Sequence, residues 1–269
     1  MSRRPIGVFD SGVGGLTVFR ALAVRMPRES LVYFGDTAHV PYGNKSREAV
    51  TRYSLAAGRF LAGLGVKLLV VACNTASALA LGPLKRTLRI PVIGVIDPGV
   101  RAAVAATRRG RIGVIATEAT IASRAYEMAL RRARPGVRVI GAACPLLVPL
   151  VEEGWWSHPV TRQVAAEYLR PIKRAGVDTL ILGCTHYPLL KSVLAKTAGP
   201  RVRCVDSAEA VAAEVEALCE KRAISLPRAG APARGSRRFY ASDGPQRFRK
   251  LARRFLGATA GPVSIHRLD

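Results

Sequence analysis

The segment LLVVACNTASAL occupies residues 68–79, and TLILGCTHYPLL occupies residues 179–190. Each begins as an apolar run of strand length, ends in one cysteine, Cys73 or Cys184, and continues with small polar residues. A short apolar run of this kind fits a strand of a parallel sheet covered on both faces, and the carboxyl ends of such strands are where open α/β sheets form ligand crevices. Two such ends, each carrying a thiol, set the expectation for the rest of the chain.

Outward from Cys73 the pattern is regular. The strand PIGVFD (5–10) runs into the glycine turn SGVGGL, and TVFRALAVRM then has helical spacing. A second strand, LVYFGD (31–36), leads to a loop containing His39, Pro41, Tyr42 and Gly43, then a helix over about 46–62 and the strand 66–72 that delivers Cys73. The same order returns later. IGVFDSGVGG (6–15) matches IGVIATEATI (112–121), LVYFG (31–35) matches VRVIG (137–141) in type, and LGVKLLVVACNT (64–75) matches AGVDTLILGCTH (175–186), at nearly constant spacing.

Strands alternating with helices, twice over, predict an α/β protein of two similar lobes, each a mostly parallel sheet flanked by helices, with the active site between them. VIDPGV (95–100), where Pro98 and Gly99 interrupt an apolar run, is the expected crossover, with a return near 205–208. Residues 208–222 have helical spacing, 223–237 form a Pro/Gly/Arg-rich surface loop, RRFYAS is a short strand and 245–256 a terminal helix. The expected units are therefore 1–97 plus 208–269, carrying Cys73, and 98–207, carrying Cys184.

A chain of 269 residues can bury a full core without staples. Its five cysteines form no dense framework and no apolar leader opens it, which predicts a reducing, cytoplasmic setting. Apolar runs are far shorter than the roughly 20 residues that span a bilayer, so no membrane partner is expected. The formal charge of +24, from 42 Lys and Arg against 18 Asp and Glu, attracts polyanions non-specifically. Specific nucleic-acid recognition is disfavoured, because the arginines are scattered in short pairs and aromatics make up only 6% of the chain.

Two buried strand-end cysteines have a bland alternative, as small core hydrophobes. A redox dithiol lacks a CxxC, and a zinc site needs two further ligands beyond the neighbouring His186, so neither disulfide exchange nor a metal is expected. Inversion of a stereocentre fits better: one group removes a proton from one face of a carbon while another delivers a proton to the opposite face. Equivalent thiols from two lobes meet that demand, and the amides of a following helix start favour thiolate character. Asp10 matches Ala116 and His186 matches Thr75, so each half adds one titratable group of its own.

Ser11, Asn74, Thr75, Thr117, Thr120 and Thr185 are short donors near these turns, equally suited to capping helices. Gly12, Gly14 and Gly15 allow backbone amides to approach a carboxylate, whereas SGVGG completes neither a dinucleotide fingerprint nor a phosphate loop. No lysine has a recognisable pyridoxal setting, so no cofactor is expected.

These segments together resemble the glutamate-specific members of the cofactor-independent aspartate/glutamate racemase family. The resemblance rests on DSGVGGL (10–16), FGDTAHVPYG (34–43), ACNTASA (72–78), CPLLVPLVEEG (144–154), GCTHYPLL (183–190) and VDSA (205–208), which span essentially the whole chain. It implies interconversion of L-glutamate and D-glutamate, with the D-isomer supplied to peptidoglycan, and a homodimer. It further implies that Cys73 is the base toward D-glutamate and Cys184 the base toward L-glutamate, assisted by Asp10, Glu152 and His186. Ser11, Pro41, Tyr42, Gly43, Asn74, Thr75, Thr117, Thr120 and Thr185 then belong to substrate-contacting segments. Glu152 enters only through this resemblance. Ala119 stands where the family usually has glycine, an expectation of a positive-φ turn, and His39-Val40 replaces the more usual Arg-Cys.

Overall fold

The computed structural model describes residues 4–221, 234–257 and 261–268. Most of the predicted Pro/Gly/Arg-rich loop at 223–237 lies outside the described residues. Among the described residues there are ten strands: β1 (Ile6–Asp10), β2 (Leu31–Gly35), β3 (Leu68–Val71), β4 (Val92–Gly94), β5 (Arg111–Ala116), β6 (Arg138–Ala143), β7 (Thr179–Gly183), β8 (Arg203–Val205), β9 (Arg237–Ala241) and β10 (Val263–Ile265). They form two parallel sheets, ordered β10-β9-β2-β1-β3-β4 and β6-β5-β7-β8.

The run β2-β1-β3-β4 has the same order as β6-β5-β7-β8, so the internal repeat seen in the sequence is a repeat of topology. Phe9 pairs with Val71 in one sheet and Ala116 with Gly183 in the other. Each cysteine therefore leaves the carboxyl end of the strand beside its sheet's first strand. Every residue of β1, β2, β3 and β7 is buried, which is why these strands read as continuous apolar runs rather than alternating ones.

Helices cover both faces. Ser46 caps Arg47–Gly63 by accepting from Ala49 N. Pro245–Leu256 buries Phe248, Leu251, Ala252 and Phe255 and turns its cations outward, packing Phe248 against Tyr33 at 5.8 Å between ring centroids. Strands 237–241 and 263–265 then extend the first sheet beyond β2, so the chain returns to the lobe in which it began.

The crossover expected at VIDPGV takes the form of a helix, Ile96–Ala106, between β4 of the first sheet and β5 of the second. Pro98 falls in its first turn, where the missing N–H has no helical acceptor to lose. Gly99 backs onto the return crossover: a Cβ there would lie 2.5 Å from Ser207 Oγ, so the two connections between lobes run side by side. The helix Ala208–Lys221 packs against Leu16–Arg25 and Ile96–Ala106, reinforced by Arg25 Nε donating to Glu216 at 2.7 Å. β10 was not anticipated, since three half-exposed residues carry no burial pattern.

Candidate active site

On the rim of the first sheet, β1 ends in Asp10, which is fully buried and accepts from Gly12 N at 3.0 Å through Oδ2. Its Oδ1 is buried without a hydrogen-bond partner among the described residues. Burial raises the Asp10 pKa, offset in part by the charge of His186. The glycine turn exists for close approach: a Cβ on Gly15 would lie 2.6 Å from Asp10 Cβ, and one on Gly14 would lie 2.4 Å from His186 Nδ1 across the cleft.

Cys73 is the N-cap of the helix Asn74–Leu79, its sulfur accepting from Ala76 N at 3.4 Å and donating to Ser11 Oγ at 3.5 Å. The helix start is thus as predicted, but its electrostatic consequence is not. Burial, reinforced by the charge of Asp10, pushes the thiol up to about 12 against the help of Ser11 and Ala76. Desolvation outweighs one cap hydrogen bond because the sulfur is almost completely enclosed.

Cys184 has different neighbours. The chain after it makes a 3-10 turn, Tyr187–Leu190, and the α-helix begins only at Lys191, so the expected helix-start amides are absent there. His186 takes their place, with Nδ1 at 3.9 Å from Cys184 Sγ and Nε2 at 3.2 Å from Glu152 Oε1. Burial opposes protonation of His186, yet its bonds and charge interactions with Cys184 and Glu152 prevail and bring the imidazole up to about 10. Glu152 ends the helix Leu147–Glu152 and accepts from Arg247 Nη2 at 3.2 Å, while Arg254 donates to its carbonyl. Burial raises the Glu152 carboxyl, but His186 and Arg247 together hold it below the ordinary value.

The remaining sequence-predicted residues line the seam between the lobes. Thr75 Oγ1 lies 2.9 Å from Thr117 Oγ1 and 3.2 Å from Thr120 Oγ1, a knot joining the two halves. Tyr126 donates to Asn74 Oδ1 at 2.7 Å, and Thr17 donates to the carbonyl of Thr185 at 3.2 Å. Gly43 faces Thr117, where a Cβ would come within 2.8 Å of Thr117 Cβ. Pro41 is exposed and follows a cis Val40–Pro41 bond. Tyr42 is buried, and its hydroxyl is committed to Asp36 Oδ2 at 2.6 Å.

Ala119 does not adopt positive φ. Thr117 caps Glu118–Ala122 by accepting from Thr120 N, so an ordinary helix start replaces the turn that would favour glycine. Among the described residues Arg124, at φ 55°, is the non-glycine residue with positive φ. His39 is held by Asp36, 2.9 Å from Nδ1, and stacks on Tyr53 at 4.0 Å.

Four contributors were not singled out from sequence: Arg247, Tyr126, Asp36 and Ser242, whose hydroxyl donates to Asp36 Oδ1 at 2.7 Å. Asp36 had a usable signal, since it follows β2 as Asp10 closes β1. Arg247 had none, being one cation among many.

The rims carry two thiols close enough for negative charge on Cys184 to oppose ionisation of Cys73. One sulfur is held protonated; the other faces an imidazolium. That pairing suits removal of a proton at one sulfur and its delivery at another.

Comparison with known proteins agrees. Residues 16–215 match the family model for Asp/Glu/hydantoin racemases. A glutamate racemase of Geobacter metallireducens is 52% identical over 263 residues, covering 98% of this chain and 96% of that protein. Among solved structures, glutamate racemase isoform RacE1 of Bacillus anthracis superposes with a TM-score of 0.92 at 41% identity, covering 99% of this chain and 97% of that one. The Francisella tularensis glutamate racemase, solved with D-glutamate, also gives 0.92, at 36% identity and with 100% and 99% coverage. The chain belongs to the Asp/Glu/hydantoin racemase family and, within it, to the glutamate racemases, amino-acid isomerases.

Proposed function

We propose that this chain interconverts L-glutamate and D-glutamate by 1,1-proton transfer between Cys73 and Cys184. The observation that carries the proposal is the equivalent position of the two thiols, one beyond β3 and one beyond β7, on facing rims of two sheets with the same strand order. A thiolate abstracts the α-proton from one side while the opposite thiol delivers a proton to the other, and the roles exchange with direction. Cys73 acts as base toward D-glutamate and Cys184 as base toward L-glutamate.

At rest Cys73 is the protonated partner, because burial and Asp10 both disfavour its anion. An anion at Cys184 has the charged His186 as counter-ion, itself steadied by Glu152. The unpartnered Oδ1 of Asp10 is suited to the substrate ammonium, since an ammonium would supply the donor this buried oxygen lacks. Ser11, Asn74, Thr75, Thr117, Thr120 and Thr185, with Pro41, Tyr42 and Gly43, form the shell that orients the carboxylates. An enclosed cleft strengthens all of these interactions at the moment charge develops on the α-carbon.

The reading extends to a cytoplasmic supplier of D-glutamate for peptidoglycan, working as a homodimer in which each chain folds as the lobes 1–97 plus 208–269 and 98–207. It is supported by the relatives; among the described residues no helix is long and apolar enough to cross a membrane. Turnover in deuterium oxide tests the core of it: deuterium enters the α-position of both isomers, and Cys73→Ala or Cys184→Ala abolishes racemisation. Full turnover by either variant overturns the two-thiol assignment. Parallel chiral assays with aspartate distinguish the shorter substrate, whose one missing methylene is worth about 1–3 kcal/mol in a pocket.

A further inference from the structure

The strands of the second sheet begin at the pole facing away from the thiols, and that pole is rich in cations. β6 starts on Arg138, β5 on Arg111 and β8 on Arg203. The register pairs Arg111 with Arg138, while Arg203 pairs with Thr179 one step further along the strands, so three of four neighbouring strands open with an arginine at the same end of the sheet. At the usual interstrand spacing the four strand starts span roughly 14 Å. The entering loops add Arg108, Arg109, Arg134, Lys173, Arg174 and Arg201, most of them exposed. Backbone bonds tie these loops into one platform: Arg138 N donates to Gly110 O at 2.8 Å, Asp178 N to Arg111 O at 2.9 Å, and Arg203 N to Asp178 O at 2.9 Å.

A single carboxylate lies in these loops, and it is already used. Asp178 accepts from the Thr107 hydroxyl at 2.5 Å and from the amides of Arg108 and Arg109 at 3.0 and 2.6 Å, reaching only the Arg109 guanidinium, at 4.0 Å. Some arginines elsewhere on the surface find carboxylates, as Arg131 finds Glu127 at 2.8 Å and Arg132 finds Asp97 at 3.6 Å. The strand starts and their entering loops therefore hold nine cations against one committed carboxylate at one rigid sheet end.

We propose that this pole binds the phosphate backbone of duplex DNA without reading its sequence. Arginine presents a planar fork that matches phosphate oxygens, and several forks gathered at one sheet end suit a polymer of regularly spaced phosphates. The loops 107–111, 134–138, 173–179 and 199–203 contain no aromatic residue on which unpaired bases could stack, which favours a duplex over a single strand. The large apolar side chains that are exposed, such as Val24, Met128 and Trp155, all lie outside these loops, so nothing there inserts into lipid. The pole is opposite the catalytic rims, so DNA and amino acid bind independently.

The test is a salt titration of full-length chain binding to a labelled duplex of about 30 base pairs. Binding should fall steeply with salt, and Arg138→Ala/Arg201→Ala/Arg203→Ala should flatten the log–log slope by about 0.9 for each phosphate no longer neutralised. Racemisation by this variant should be unchanged, which also shows that it is folded. The control variant Arg249→Ala/Lys250→Ala/Arg253→Ala removes the same charge from the outer face of the helix 245–256 and should leave the slope nearly intact. Equal flattening by both variants, or no binding of wild-type chain at about 0.1 M salt, overturns the proposal. Pole-dependent binding to phosphatidylserine vesicles without binding to duplex also overturns it, in favour of a membrane surface.

Discussion

Cys73 and Cys184 occupy equivalent ends of equivalent strands, yet their surroundings oppose each other. Cys73 caps a helix, touches Ser11 and sits near the carboxylate of Asp10, so burial and charge both keep it a thiol. Cys184 precedes a 3-10 turn and faces His186, whose proton is secured by Glu152 and, behind it, Arg247. The difference teaches that a duplicated fold can supply two-sided geometry while single substitutions within each copy give the two thiols unlike charged neighbours. An acid and a base must differ at any instant, and two identical settings would compete for the same state.

The largest test of this contrast is loss of either sulfur. Cys73→Ser and Cys184→Ser should each lower kcat/KM by about 10²–10⁴-fold. Mirror-image substrates have an equilibrium constant of unity, so the fall in kcat/KM must be equal in the two directions. Asymmetry between the rims can appear only in kcat and KM separately, measured by chiral assay from each isomer. A serine variant within tenfold of wild type would show that its sulfur is dispensable.

Next in size is Glu152→Gln. Without the carboxylate the raised value of His186, about 10, should drop, and the basic limb of the pH–rate profile should move to lower pH. An unmoved limb would separate Glu152 from the imidazole. The pair also contributes to stability. For His186, raised on folding, the contribution is complete below its ordinary 6.5 and is lost as pH rises through about 10. For Glu152, lowered on folding, it is complete above its ordinary 4.5 and fades as pH falls through the folded value. The Tm difference between wild type and Glu152→Gln should therefore be greatest between pH 4.5 and 6.5 and shrink on both sides.

Asp10→Asn sharpens the other rim. Removing its charge should lower the Cys73 thiol from about 12, though only partly, since burial is the larger cause. Alkylation of Cys73 by iodoacetamide should then begin at lower pH. Because burial disfavours the Asp10 carboxylate, the neutral variant should lose racemisation by about 10–100-fold while melting at the same or a higher temperature. The smallest expected effect is Tyr126→Phe, which strips one inter-lobe bond from buried Asn74 and should cost about 1–3 kcal/mol in denaturant unfolding.

Much of this was legible beforehand. Period and strand length marked β1, β2, β3, β5 and β7, and three matched segments disclosed the repeat, because continuous burial writes itself as uninterrupted apolar residues. The helix 245–256 was equally clear from its strong amphipathicity. VIDPGV hides that the crossover is helical, because Pro and Gly usually mark a break in mid-chain but are harmless in a first helical turn. Glu152 and Arg247 were invisible to residue-level reasoning: both are polar groups at helix ends, the usual dress of a solvated surface, and only packing of the final helix against the second lobe gives them a task.

The sequence by itself determined the two-lobed α/β architecture, the strand ends that carry the thiols and the glycine turn beside Asp10, since these follow from local periodicity and steric need. Only the tertiary structure decided that burial and Asp10 hold Cys73 as a thiol, that three threonines knot the seam, and that scattered arginines converge at the start of β5, β6 and β8. Desolvation and charge are properties of neighbours brought together from distant parts of the chain, and no local pattern encodes them.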